Sequence, residues 1–112
     1  MIFNLVAQDT APQVKATITR EDDGAAVDLT AGGTAVVKLK FRKKGTTSIL
    51  FTLTGLNTPS TNYAKGIVLF NFGGNDLKIA AGFYEGEIEI TYANSSVETI
   101  YELVNFQLRA DF

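Results

Sequence analysis

At 112 residues the chain has room for one domain with one core, and 46% hydrophobic and 20% charged residues suit a folded chain, not a disordered one. A net charge of −2 and an isoelectric point near 5.0 give nucleic acid no electrostatic reason to bind. Cysteine and histidine are both absent, which removes disulfides, thiolate nucleophiles, zinc–thiolate sites and the usual general base at neutral pH.

The lack of disulfides suits a reducing cytoplasm. Met1 to Ala7 is apolar but has no basic n-region and turns polar at Gln8-Asp9, so the chain reads as soluble and complete from Met1. No apolar run approaches the roughly 18 residues of a membrane span, and no membrane partner is expected.

Along the chain, period-two alternation dominates. Ile2 to Ala7 forms a first apolar strand. Val14, Ala16 and Ile18 then alternate with Lys15, Thr17 and Thr19 up to a turn at Glu21-Asp22-Asp23-Gly24. A short apolar staple, Val27-Asp28-Leu29-Thr30, leads into the turn Ala31-Gly32-Gly33. Val37, Leu39 and Phe41 alternate with Lys38, Lys40 and Arg42, one face buried and the other solvated. After Lys43-Lys44-Gly45-Thr46 comes a set of Ile49, Phe51 and Leu53, and Gly55 to Lys65 is the longest loop.

Gly66 to Phe72 is a further strand, and Leu77 to Ala81 predicts one helical turn before Gly82. The clearest strand follows, with Tyr84, Gly86, Ile88, Ile90 and Tyr92 on one face and Glu85, Glu87, Glu89 and Thr91 on the other. Beyond an Ala93-Asn94-Ser95-Ser96 hairpin, the stretch Val97 to Phe112 changes face near Leu103-Val104, which predicts a bulge or a bend. About seven strands separated by turn residues predict an all-β, immunoglobulin-like antiparallel β-sandwich spanning residues 1–112 as one domain.

Few residues suggest chemistry. Glu85, Glu87 and Glu89 share a strand face, and i and i+2 lie roughly 7 Å apart, a spacing a pair of catalytic carboxylates could use. The stronger reading makes them a solvated face whose cross-strand or cross-interface complement is Lys38, Lys40 and Arg42. The basic stripe Lys38 to Lys44 has no interleaved aromatics, so no nucleic acid partner is expected. Gly32-Gly33 and Gly73-Gly74 fit no phosphate-binding pattern, and Asp22, Asp23, Asn75 and Asp76 fit no calcium loop. No cofactor, metal or small-molecule ligand is expected. Tyr84, in a Gly-x-Tyr at the start of a strong strand, is a candidate tyrosine corner that stabilises the fold.

The order of Gln8-Asp9-Thr10, Ile18 to Gly24, Val27 to Thr30 and Gly82 to Glu89 resembles the immunoglobulin-like N-terminal domain of phage baseplate upper proteins and related small tail proteins. In that family an Asp-Gly-x-x-x-Asp-Leu-Thr corner (here Asp23 to Thr30) precedes a Gly-x-Tyr-x-x-Glu-Ile strand (here Gly82 to Ile88). The resemblance covers nearly the whole chain and implies a virion protein made in the host cytoplasm, a tail or baseplate adaptor joining fibres or neighbouring subunits.

Under that reading the partners are other virion proteins in a homo- or hetero-oligomer. Ile2, Phe3, Leu5 and Phe112 at the terminal strands, with the two charged sets, are the expected interface, the termini by strand augmentation. The bland alternative places Ile2, Phe3, Leu5, Phe106, Leu108 and Phe112 in the domain's own core. Two other functions compete: a capsid decoration protein, and a carbohydrate-binding module stacking sugars on Tyr63, Tyr92 and Tyr101. An enzyme ranks last, since the residues a sandwich needs for catalysis are mostly missing.

Overall fold

The computed structural model describes every residue except Met1, Glu21 and Tyr101. Alternating apolar residues form β1 (Ile2–Val6), β2 (Gln13–Thr17), β3 (Val36–Lys43), β4 (Ile49–Thr54), β5 (Ile67–Asn71), β6 (Gly82–Thr91), β7 (Val97–Thr99) and β8 (Val104–Arg109). One short helix, α1 (Ser60–Ala64), interrupts them. The larger sheet has the order β1-β8-β6-β3-β4, with β7 beside the later half of β6, and β2 and β5 make the smaller sheet. β1 joins β8 in parallel and every other pairing is antiparallel. The two sheets pack as an immunoglobulin-like β-sandwich.

The alternation sets the core as expected. Val37, Leu39 and Phe41 of β3 face Tyr84, Ile88 and Ile90 of β6, and all are buried. Val14, Val68 and Phe70 come down on them from the smaller sheet. Phe41 is the aromatic hub, with ring centroids 4.6 Å from Phe51, 5.2 Å from Tyr84, 5.0 Å from Phe106 and 5.7 Å from Phe72. Gly86 is small by necessity, because a Cβ there would lie 2.5 Å from Leu39 Cδ1 and 3.2 Å from Phe106 Cε2. Packing of this density leaves no room for an extra methyl group.

Four expectations change. Val97 to Phe112 is not one bent strand; β6 is long enough to take β7 and β8 in succession, and the chain between them leaves the ladder after Ile100 N donates to Ile88 O. That break makes eight strands among the described residues, where about seven were expected. Leu77 to Ala81 forms no helix, because turns at Asp76 and Lys78 bonded to Gly73 and Asn75 hold Leu77 in the core instead. A helix appears instead within the long loop, where α1 buries Tyr63.

Two tyrosine hydroxyls fasten connections to the sandwich. Tyr84 Oη donates to the Ala80 carbonyl at 2.5 Å, four residues upstream, which is the corner the sequence predicts. Tyr63 Oη donates to the Ala35 carbonyl at 2.6 Å and ties α1 to the start of β3. A third, Tyr92, donates to Glu98 Oε1 at 2.7 Å across the β6–β7 hairpin.

Phe41→Ala should cost about 3–5 kcal/mol of stability, read as a lower urea midpoint at an unchanged m-value; a loss below about 1 kcal/mol would mean that the four neighbouring rings close the gap. Alkali provides a second expectation. Burial, then the Glu98 hydrogen bond and charge, push Tyr92 up to about 12, and burial raises Tyr63 and Tyr84 as well. An unfolded tyrosine titrates near 10, so these neutral phenols stabilise the fold fully below about pH 10 and progressively less up to about pH 12. Tyr92→Phe should therefore flatten the fall in urea midpoint over that window, and an unchanged slope would remove Tyr92 as a cause.

Candidate protein-binding surface

The charged sets meet on the outer face of the larger sheet. In the β3–β6 register Lys38 lies opposite Glu89, Lys40 opposite Glu87 and Arg42 opposite Glu85. Lys40 Nζ reaches diagonally to Glu89 Oε2 at 2.8 Å, and Arg42 Nε and Nη2 both sit 2.9 Å from Glu85 Oε1. Glu89 holds the Lys40 ammonium above its ordinary value through that bond. Glu85 is only 7% exposed, and Arg42 is its ion-pair partner. The cross-strand complement expected for the three glutamates is thus present, with Lys38 and Glu87 outside any ion pair among the described residues.

The terminal strands divide between core and surface. Leu5, Phe106 and Leu108 are buried, and Phe3 is half-buried with its ring stacked on Phe106 at 5.7 Å. Ile2 is 53% exposed, and Phe112 lies fully in solvent beneath the Arg109 guanidinium, 4.8 Å from its ring centre. β1 is a sheet edge, as strand augmentation requires. β8 is not: it is flanked by β1 on one side and β6 on the other, so the last strand has no free edge to offer.

The two flanks of the sandwich differ. Beyond β4, Gly55 N donates to Val37 O at 2.7 Å and Leu56 N to Leu69 O at 2.8 Å, so the chain itself stitches the larger sheet to β5. Gly55 permits this close approach, since a Cβ would run into Val68. On the opposite flank, β1 of the larger sheet and β2 of the smaller both carry unpaired edges. Beside β2 runs a groove of about 460 Å³, lined by Ala16 on one side and by Phe3, Ile88, Ile100, Leu103 and Val104 on the other, with Lys15 and Glu102 also in its lining.

Hydrogen-bond phase shows what the β2 edge presents. Ile18 N donates to Gly66 O and Phe72 N donates to Pro12 O, so Val14 and Ala16 are the residues that bond β5. Gln13, Lys15 and Thr17 therefore aim their N–H and C=O groups outward along the groove. Sequence reasoning named the β1 residues of this flank but missed β2 and the groove, because a free edge is a property of sheet order. Phe83, 52% exposed, was also missed, although it lies in phase with Glu85 on the otherwise charged face of β6.

The aromatic platform expected for a sugar site does not assemble. Tyr63 is buried at 1% exposure and spends its hydroxyl on Ala35, because α1 turns it into the core. Tyr92 is partly buried against the hairpin, and Tyr101 lies outside the described residues. The acidic turns serve the backbone: Asp23 accepts from Ala25 N, and Asp76 from Gly73 N.

No family model matches the chain, and no curated protein does. Among solved structures it is similar to CopC from Methylosinus trichosporium OB3b, with a TM-score of 0.52 and 10% identity over 96% of this chain and 83% of that one. The likeness shows the fold. It also corrects the function expected from sequence, the phage tail or baseplate adaptor with a decoration or sugar-binding role as alternatives: a solved fold that matches is a CopC, which points away from a phage structural role. Turn-residue motifs such as Asp23 to Thr30 report a sandwich corner, and any sandwich with that corner can carry them.

The two ion pairs should respond differently to truncation. Arg42→Ala strands a nearly buried carboxylate and should cost about 1–3 kcal/mol, whereas Lys40→Ala removes an accessible pair worth under about 1 kcal/mol. Thermal unfolding of both variants at low and high salt checks this, and equal losses would place the Glu85 charge in solvent.

Proposed function

We propose that this domain is a non-catalytic binding module that takes an extended segment of a partner protein into the open flank between β1 and β2. The observation that carries the reading is a free strand edge lying directly over an apolar groove. Main-chain groups of Gln13, Lys15 and Thr17 supply affinity without regard to sequence, and the groove supplies preference by accepting every second side chain. The fitting segment alternates apolar residues, which enter against Phe3, Ile88 and Val104, with polar ones that stay outside. A carboxylate on the outer side would meet Lys15.

Composition supports a binding role over catalysis. A chain without histidine or cysteine has little to use as a general base, nucleophile or soft metal ligand. Two of the three aligned glutamates are already held by Lys40 and Arg42. Main-chain hydrogen bonding at an edge needs no such side chains.

A random peptide display library selected on the domain tests the proposal. Selected peptides should alternate apolar and polar residues, and the amides of Gln13, Lys15 and Thr17 should become protected from hydrogen exchange on binding. Ala16→Arg, which fills the groove from its wall, should abolish the selection. Lys15→Glu should replace acidic outer positions with basic ones. Peptides that bind Ala16→Arg equally well, or that leave the three amides unprotected, would sink the idea.

A further inference from the structure

The opposite edge of the larger sheet has a chemistry of its own. β4 (Ile49–Thr54) reads Ile-Leu-Phe-Thr-Leu-Thr, with no charge and no proline, and it pairs only with β3 along its length. Charged residues, prolines and bulges are the usual devices that keep such an edge from pairing with another chain. Only the bulge is present, where register slips between Phe41 and Arg42 opposite Ile49 to Phe51, and it leaves Phe51 to Thr54 regular. Ile49 and Leu50 stand 52% and 49% exposed at that end.

We infer that the β4 edge pairs with the β4 edge of a second copy of this chain, antiparallel about a two-fold axis at Thr52. The hydrogen-bond phase permits it. Gly55 N donates to Val37 O, which makes Leu53 and Phe51 the residues bonded to β3, so Thr52 and Thr54 turn their N–H and C=O groups to the free side. Thr52 then exchanges both bonds with its own copy. Threonine opposite threonine is a favourable cross-strand pair on this outer face.

Charge favours self-pairing at β4 over self-pairing at β2. In a two-fold strand pair, any charge at the axis faces itself. β2 would set Lys15 against Lys15 at about 5 Å, which is destabilising, and this suits β2 to a foreign segment. β4 sets no charge against anything. The cations of β3 would be three strand spacings from their own copies, about 14 Å, beyond the roughly 8 Å over which salt lets exposed charges feel each other. Lys40, opposite Thr52, also reaches away from β4 to Glu89.

The test is solution mass by light scattering over a concentration series, with circular dichroism confirming that each variant is folded. Wild type should move from monomer to dimer mass as concentration rises. Thr52→Lys should weaken association about tenfold or more by facing like charges across the axis, and Asn4→Lys on the β1 edge should leave it unchanged. Mixing Thr52→Lys with Thr52→Glu should restore a mixed dimer. A wild type that stays monomeric throughout, a dimer indifferent to Thr52→Lys, loss with Asn4→Lys, or no mixed dimer would each overturn the inference.

Discussion

Two strands about 4.8 Å apart cannot cover a sheet five strands wide, and this mismatch between β2-β5 and β1-β8-β6-β3-β4 governs the molecule. The uncovered inner face of the larger sheet must be shielded by connections, since exposed apolar surface at roughly 25 cal/mol per Å² would undo the fold. Loops do that work on the β4–β5 side. Leu29 and Tyr63 are buried chain connections there, with Leu29 N donating to Tyr63 O and Tyr63 Oη to Ala35 O. On the β1–β2 side the groove is walled by the β7–β8 connection through Ile100 and Leu103, and Phe3, Ala16 and Val104 remain only partly buried. The place where cover runs out is the place where a partner would gain most by adding it.

Phe41 shows how the narrow sheet still holds the wide one. Its ring touches β4 through Phe51, β6 through Tyr84, β8 through Phe106, and the end of β5 through Phe72. One side chain therefore couples the neighbouring strand β4 to three partners distant in sequence. Gly86 belongs to the same arrangement, since the space it leaves is filled by Leu39 and Phe106. The outer face contributes differently. The ladder of Lys40, Arg42, Glu85 and Glu89 fixes the β3–β6 register, because a slip of one residue would send every charge into the core and every apolar residue out.

What alternation encodes was legible, and what sheet order decides was not. Val37, Leu39 and Phe41, or Ile88 and Ile90, announce their burial by spacing alone, and Tyr84 announces its corner by following a turn into a strong strand. Tyr63 could not be read this way, because its burial comes from a helix set among polar loop residues whose periodicity is too short to register. The break at Ile100 to Leu103 looked like a bulge because a face switch cannot tell a bend from two strands sharing one long partner. The β1 flank was suspected from its apolar residues, yet the open edge of β2 depends on which strand stands beside it, and no residue in Gln13–Thr17 signals that. Function failed for a related reason: short corner motifs describe how a sandwich turns and leave its partners open.

The two edges also explain each other. β1 and β4 lie at opposite ends of one sheet, so occupation of one does not obstruct the other. A pair of molecules joined at β4 would make one continuous sheet with an open β1–β2 flank at each end, in symmetry-related orientation. Two extended segments carried by a single partner, or by two partners held together, would then engage with the second capture made intramolecular. Such linkage multiplies affinity by about 10²–10⁴ without a new contact. A groove whose main-chain bonds are individually weak, and whose charged lining residues are Lys15 and Glu102, is the kind of site for which that multiplication decides whether binding is useful.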